Sequence, residues 1–320
     1  MIRRVIFSVA IAMAGCSQAV PEQSTSAAIQ GGASDTGDPS VVLLYRPPGT
    51  QGVGDTGDWC TGTLITPTIV LTAAHCLKSG MTQVWTGGGA AKAWSPGSSV
   101  PFPDPSMKEF DIVESKPNPG WVNGACPIGT NYTNADTGDV GLVRVVTNTY
   151  AGGTSTYATS ASDEPPLNTS VTAVGFGRHG QSGVDLTIEQ KRSGTSTVTD
   201  VATQLLRVQY ASAVADSGDS GGPLFYNGKI VGTTICHSDG DWIDNSNAGH
   251  KVEYYQRVDT QAGFITSAAT QLDNDCQAEC GSFVGAPCGT DCFCWADLYD
   301  CERRHCGDNR PVISCFGGGF

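Results

Sequence analysis

Gly218-Asp219-Ser220-Gly221-Gly222-Pro223 sets a serine between glycines. A hydroxyl is a weak nucleophile until a base takes its proton and donors stabilise the oxyanion that its attack creates. Glycines on both sides allow a turn tight enough for Ser220 to project while the N–H groups of Gly218 and Ser220 point into one hole. Average residue usage puts a chance occurrence of this hexapeptide in such a chain on the order of one in a hundred thousand. An ordinary Gly-Ser turn is therefore the weaker reading.

The base for such a serine is expected to be a histidine. Thr72-Ala73-Ala74-His75-Cys76 follows an apolar run and puts His75 on a short turn beside a cysteine, whereas His179, His237, His250 and His305 sit in Gly- or Asp-rich stretches. Cys60 lies sixteen residues before Cys76, so a bridge between them would pin the loop that carries His75. The third member is expected to be a carboxylate that fixes the imidazole tautomer and stabilises the imidazolium. Asp139 leads Val140-Gly141-Leu142-Val143 and would be held at the mouth of a buried strand; Asp136 and Asp111 are rivals that precede no such run.

The segments that must position these groups are strands. Short β-branched runs at 41–45, 61–66, 69–72, 140–146, 170–176, 204–210, 229–234 and 254–258 alternate with Gly, Pro, Asn and Asp clusters. Near the end, Phe264, Ile265, Ala268, Ala269 and Leu272 recur at helical spacing, with Asp259 or Thr260 able to cap the start. Charged residues make up 15% of the 320 and glycine occurs 41 times, which argues against helical bundles and coiled coils. The result is an all-β domain closed by one helix.

A net charge of −13 makes nucleic acid and anionic membrane surfaces poor partners. Thirteen cysteines mark an oxidising compartment and leave one to explain. Arg3 and Arg4 precede an apolar run at 5–14, too short for a membrane span of about 20 residues and suited to a secretory signal. Met13-Ala14-Gly15-Cys16 resembles a bacterial lipobox, with Met where Leu is usual, and makes Cys16 the expected lipidation site; a plain signal peptide cut elsewhere is the alternative. Residues 1–15 then form a signal peptide and 16–28, polar and without periodicity, a lipid-anchored tether or pro-segment.

Residues 273–320 form a separate Cys-rich extension, with cysteines at 276, 280, 288, 292, 294, 301, 306 and 315. Too short to build a core, it is expected to be stapled by four disulfides; zinc is the alternative, less suited to an exported chain with irregular spacing. Asp-Thr-Gly-Asp recurs at 35–38, 55–58 and 136–139, as acidic turns or parts of a calcium site, turns being far commoner.

Taken together, Ile29-Gln30-Gly31-Gly32, Thr72 to Cys76, Asp139 to Val143, Val174-Gly175-Phe176-Gly177 and Gly218 to Pro223 resemble the chymotrypsin/trypsin family of serine proteases, in the family's order of His, Asp and Ser. The resemblance covers residues 29–272. It implies two antiparallel six-stranded β-barrels, with His75, Asp139 and Ser220 as a catalytic triad between them and an acyl-enzyme mechanism. It implies protein or peptide substrates and neither cofactor nor metal. The long interval from His75 to Asp139 suggests inserted surface loops across 95–132. The resemblance also implies activation by a cut that exposes Ile29, whose ammonium would pair with Asp219. Ala28 precedes that bond, so a trypsin-like cut is not expected to make it. If Cys16 carries lipid, the same cut frees the enzyme, and an exported protein on the outer membrane or cell surface becomes a released one.

Departures from the family concern specificity. Asp216-Ser217 stands where the family has a cysteine, so the base of the primary pocket is Val214 without a gap, or Asp216 with two residues deleted. Val214 would favour neutral side chains and Asp216 Lys or Arg; Glu253 could bring a further acid to the pocket wall. Thr234-Ile235-Cys236-His237 replaces the usual Ser-Trp-Gly beside the substrate, which brings His237 to the pocket and removes a serine hydrogen bond to Asp139. In the family fold the loop before the catalytic aspartate lies against this segment, which makes Cys126 the expected partner of Cys236; pairing of either cysteine with the Cys-rich extension is the alternative. The competing functional readings are a catalytically silent binding protein on the same fold and an esterase using the same triad.

Overall fold

Alternate side chains of residues 41–45 enter different cores, which explains why that run is apolar throughout instead of alternating with polar residues. The computed structural model describes residues 29, 32–53, 55, 57–87, 107–121, 138–145, 153–177, 191–213, 215–237 and 252–283. In chain order the strands are β1 Ala33–Ser34, β2 Val41–Arg46, β3 Asp58–Leu64, β4 Ile69–Thr72, β5 Gln83–Thr86, β6 Lys108–Pro117, β7 Gly141–Val145, β8 Thr156–Tyr157, β9 Ser170–Gly175, β10 Arg192–Val201, β11 Leu205–Tyr210, β12 Pro223–Tyr226, β13 Lys229–His237 and β14 Val252–Arg257. Helix α1 spans Ala74–Lys78 and α2 spans Ala262–Phe283.

Two antiparallel six-stranded barrels result. The first closes in the order β2-β3-β4-β7-β6-β5. The second runs β10-β11-β14-β13-β12-β9 and closes because β9 also pairs with β10, Arg192 opposite Gly175. Two short strands extend it: β1 on β10, and β8 parallel to β13. Val42 and Leu44 of β2 fill the first barrel with Val70, Val84 and Val143. Val41, Leu43 and Tyr45 face the other way and pack with Trp59, Val174 and Phe176, a cluster that joins the barrels. A third cluster, Leu71 and Leu142 with Ile230, Ile265 and Leu272, seats α2 across both. Period-two alternation thus separates barrel core from barrel interface along one strand.

Two expectations are corrected. The interval 95–132 is not loop throughout: Lys108–Pro117 is β6, which pairs with β5 and β7 to close the first barrel. Its side chains alternate between exposed and half-buried, so no apolar run announces it. Asp259 does not cap α2; it lies in a 3₁₀ turn, Asp259–Gln261, and its carboxylate takes N–H bonds from Arg257 at 3.1 and 2.7 Å. Thr260 Oγ1 donates to Arg257 O at 3.0 Å instead. Helix α2 continues past Leu272 to Phe283. The signal and tether at 1–28, Cys16 included, lie outside the described residues, as do Asp136, His179, His250, His305 and the chain beyond Phe283.

Candidate active site

His75 and Asp139 meet because β4 and β7 are neighbours. Strand β4 pairs with β7, Thr72 opposite Gly141, so the ends of the two strands deliver α1 and Asp139 to one place. His75 Nδ1 lies 2.7 Å from Asp139 Oδ2, and the His75 backbone N–H donates to Asp139 Oδ1 at 2.9 Å. Both carboxylate oxygens therefore hold the same residue, one by its ring and one by its main chain. Asp139 is buried, whereas the imidazole is 31% exposed, so the ring is anchored on one edge and open on the other. With Nδ1–H donating to the carboxylate, Nε2 is the nitrogen left to accept a proton. A disulfide joins Cys60 of β3 to Cys76 of α1, with Cα atoms 6.2 Å apart. Bridged cysteines offer no thiolate, so the grouping of Cys60, His75 and Cys76 is not a metal site.

Ser220 is held against the same corner of the first barrel. Thr61 of β3 donates its N–H to Ser220 O at 2.9 Å, and Cys76 Sγ lies 3.6 Å from that oxygen. Within the turn, the N–H groups of Asp219, Gly221 and Gly222 donate to Asp216 O, Thr234 O and Asp219 O. Among the described residues, no hydrogen bond uses the N–H of Gly218 or Ser220. Gly218 has φ +96°, and a Cβ there would lie 1.8 Å from Trp59 Nε1, so both conformation and space exclude any other residue.

Behind the turn lies a buried acid. Asp219 is fully buried, its Oδ1 accepting the Gly177 N–H at 2.7 Å and its Oδ2 the Asp216 N–H at 2.8 Å. Gly177 is required at that position, since a Cβ would come within 2.3 Å of Asp219 Oδ2. Burial, reinforced by the negative charge of Asp216 and Glu253, pushes the Asp219 carboxyl up to about 8. Ile29 is also buried, in the second barrel's core with Ala213 and Ala215, the residues that lead into Asp216. Glu253 accepts hydrogen bonds from the Ala215 N–H and, at 2.6 Å, from Tyr255 Oη. Burial first, then Glu253, raises the Tyr255 hydroxyl well above its ordinary value.

The structure thus brings His75 to Asp139, and Asp216 and Glu253 to Asp219. Val214 and Cys126 lie outside the described residues, and His237 is described only as the strand partner of Glu253. Cys236 is disulfide-bonded. Thr234 Oγ1 donates to Gly222 O at 3.1 Å. Two positions escaped the sequence reading. Gln256 Oε1 accepts the Asp139 N–H at 3.3 Å while its Nε2 donates to Gln204 O at 2.9 Å. Thr61 joins the serine turn to both barrels. Gln256 sits between Tyr255 and Arg257, where nothing marks a buried amide; for Thr61 the one signal is its place beside Cys60.

Paired six-stranded barrels with a histidine, a carboxylate and a glycine-flanked serine at their junction define the architecture of one class of hydrolase. The trypsin family pattern matches residues 29–265, and the chain belongs to that family. It is also 28% identical over 236 residues, 73% of its own length and 69% of the relative's, to a Corynebacterium glutamicum protein whose name describes a candidate peptidase. These matches support a peptidase hydrolase acting on peptide or protein substrates.

Proposed function

We propose that the chain is an exported serine endopeptidase with His75, Asp139 and Ser220 as its catalytic triad. His75 Nε2 removes the Ser220 Oγ proton as the oxygen attacks the scissile carbonyl, and Asp139 stabilises the imidazolium. The carbonyl oxygen takes the negative charge and is met by the N–H groups of Gly218 and Ser220. Collapse transfers the proton from His75 to the leaving amine and leaves an acyl-enzyme, which water hydrolyses by the same route. The observation that carries this reading is that the serine turn commits its other N–H groups and leaves these two unpaired among the described residues, in a protein where His75 is held twice by Asp139.

Cleavage before Ile29 completes the enzyme, the new ammonium entering the buried surroundings of Asp219. Lipid on Cys16 holds the precursor at the outer membrane or cell surface, so one cut both activates and releases it. Finding lipid and full activity on the same uncut chain would refute that linkage. Negative charge from Asp216 and Glu253 beside the serine turn supports a preference for Lys or Arg before the scissile bond. A peptide library exposed to protein beginning at Ile29, with Ser220→Ala as control, tests both activity and preference. Cleavage after basic residues, lost in the variant, is expected; no cleavage refutes the enzyme, and cleavage after neutral residues refutes the pocket.

A further inference from the structure

Thr61 is fully buried and each of its polar atoms has a main-chain or hydroxyl partner. Its Oγ1 donates to Gly218 O at 2.9 Å and accepts the Phe176 N–H at 3.0 Å, both bonds buried. Its N–H donates to Ser220 O at 2.9 Å, and its own carbonyl accepts Thr72 Oγ1 at 2.9 Å. One residue of the first barrel therefore grips the carbonyls on either side of Asp219. It ties them to the end of β9 in the second barrel and to the strand that leads into His75.

The consequence for the serine turn follows from peptide planarity. The peptide from Gly218 to Asp219 has its carbonyl on Thr61 Oγ1 and its N–H on Asp216 O, so its plane is fixed at both ends. That plane bounds Gly218 on its C-terminal side, a residue at φ +96° with no side chain of its own to restrain it, and so limits how far Gly218 can turn. The orientation of the Gly218 N–H, one of the two proposed oxyanion donors, thus depends on a hydroxyl that never touches substrate. The main-chain bond from Thr61 N–H to Ser220 O would survive in any residue but proline; the hydroxyl bonds need Thr or Ser.

We propose that Thr61 is a positioning residue for the oxyanion site, its hydroxyl anchoring the Gly218 carbonyl and so restraining the residue whose N–H faces the developing charge. The proposal rests on the enzymatic reading above. Removing an oxyanion donor outright costs about 10²–10³ in kcat; loosening one costs less, so Thr61→Val is expected to lower kcat about 10- to 100-fold with KM nearly unchanged. Thr61→Ser, which keeps the hydroxyl, should stay within about threefold of the parent. A peptide aldehyde, whose adduct carries an oxyanion, should bind Thr61→Val more weakly by about the factor lost in kcat.

The measurement uses the full protein cut before Ile29, with parent and variants compared by kcat, KM and aldehyde affinity. Thr61→Ala provides the same loss of hydroxyl if Thr61→Val does not fold. An active parent with kcat and aldehyde affinity unchanged in the Val or Ala variant overturns the proposal alone, as does a Ser variant as poor as Val. A parent that cleaves no peptide overturns the enzymatic reading beneath it.

Discussion

The uncut chain should lose stability toward alkaline pH in a way that the cut chain does not. Asp219 lies fully buried, and its carboxyl is raised from an ordinary 3.8 to about 8 by burial and by the charges of Asp216 and Glu253. While Ile29 is joined to Ala28, its nitrogen is an amide and brings no charge. Between pH 4 and 8 the folded uncut chain then holds a proton that the unfolded chain has lost. Stability falls as pH rises through this window, because the folded state binds more protons. At about 1.4 kcal/mol per pH unit the full interval amounts to a loss on the order of 5 kcal/mol by pH 8. On the proposed activation, cleavage brings the Ile29 ammonium to Asp219, which then ionises in both states, and that slope disappears. Asp38, raised to about 6 by burial and by Asp35, adds a slope of the same sign, but it is common to both chains and cancels in their difference. The assay is urea unfolding at one-unit intervals from pH 4 to 9, on the Ser220→Ala protein with and without residues 1–28. The gap between the two chains should widen from pH 4 to 8, in favour of the cut form, and stop widening above about pH 8, where the paired ammonium begins to lose its own contribution. Parallel profiles would refute both the buried acid's role and its pairing with Ile29.

Three further outcomes are expected. Asp139→Asn should lower kcat about 10⁴-fold, the scale of the equivalent change in a Ser-His-Asp site, while the folded protein persists by circular dichroism. Replacing Cys60 and Cys76 by serine opens the loop around His75 and should cost about 3 kcal/mol in urea unfolding. Gln256→Leu removes the acceptor of the buried Asp139 N–H and should destabilise by about 1–3 kcal/mol, measured the same way.

The residues that carry the proposed chemistry were legible because their sequence context is local. His75 lies beside its bridging cysteine, Asp139 opens an apolar strand, and Ser220 sits in a glycine frame that tolerates little else. Strands with two buried faces, such as β2, β4 and β7, were equally plain. Those with polar faces were not: β10, Arg192–Val201, is mostly Ser, Thr and Gly, and β6 alternates exposed with half-buried positions, two of the half-buried ones being Glu114 and Lys116. Ring closure supplies what those sequences lack, since each is held by two neighbouring strands. Gln256 was hidden for a related reason. It is a polar residue in a strand, and its burial is decided by a distant partner, Asp139. Thr61 shows the limit most plainly, because its significance lies in Gly218 and Phe176, more than a hundred residues away.

The most direct test of the account is covalent labelling of the protein beginning at Ile29 by a fluorophosphonate, with the modified residue found by peptide mass analysis. Labelling at Ser220, lost in both Ser220→Ala and His75→Ala, is the predicted result. An unlabelled Ser220 in correctly cut, folded protein would contradict it.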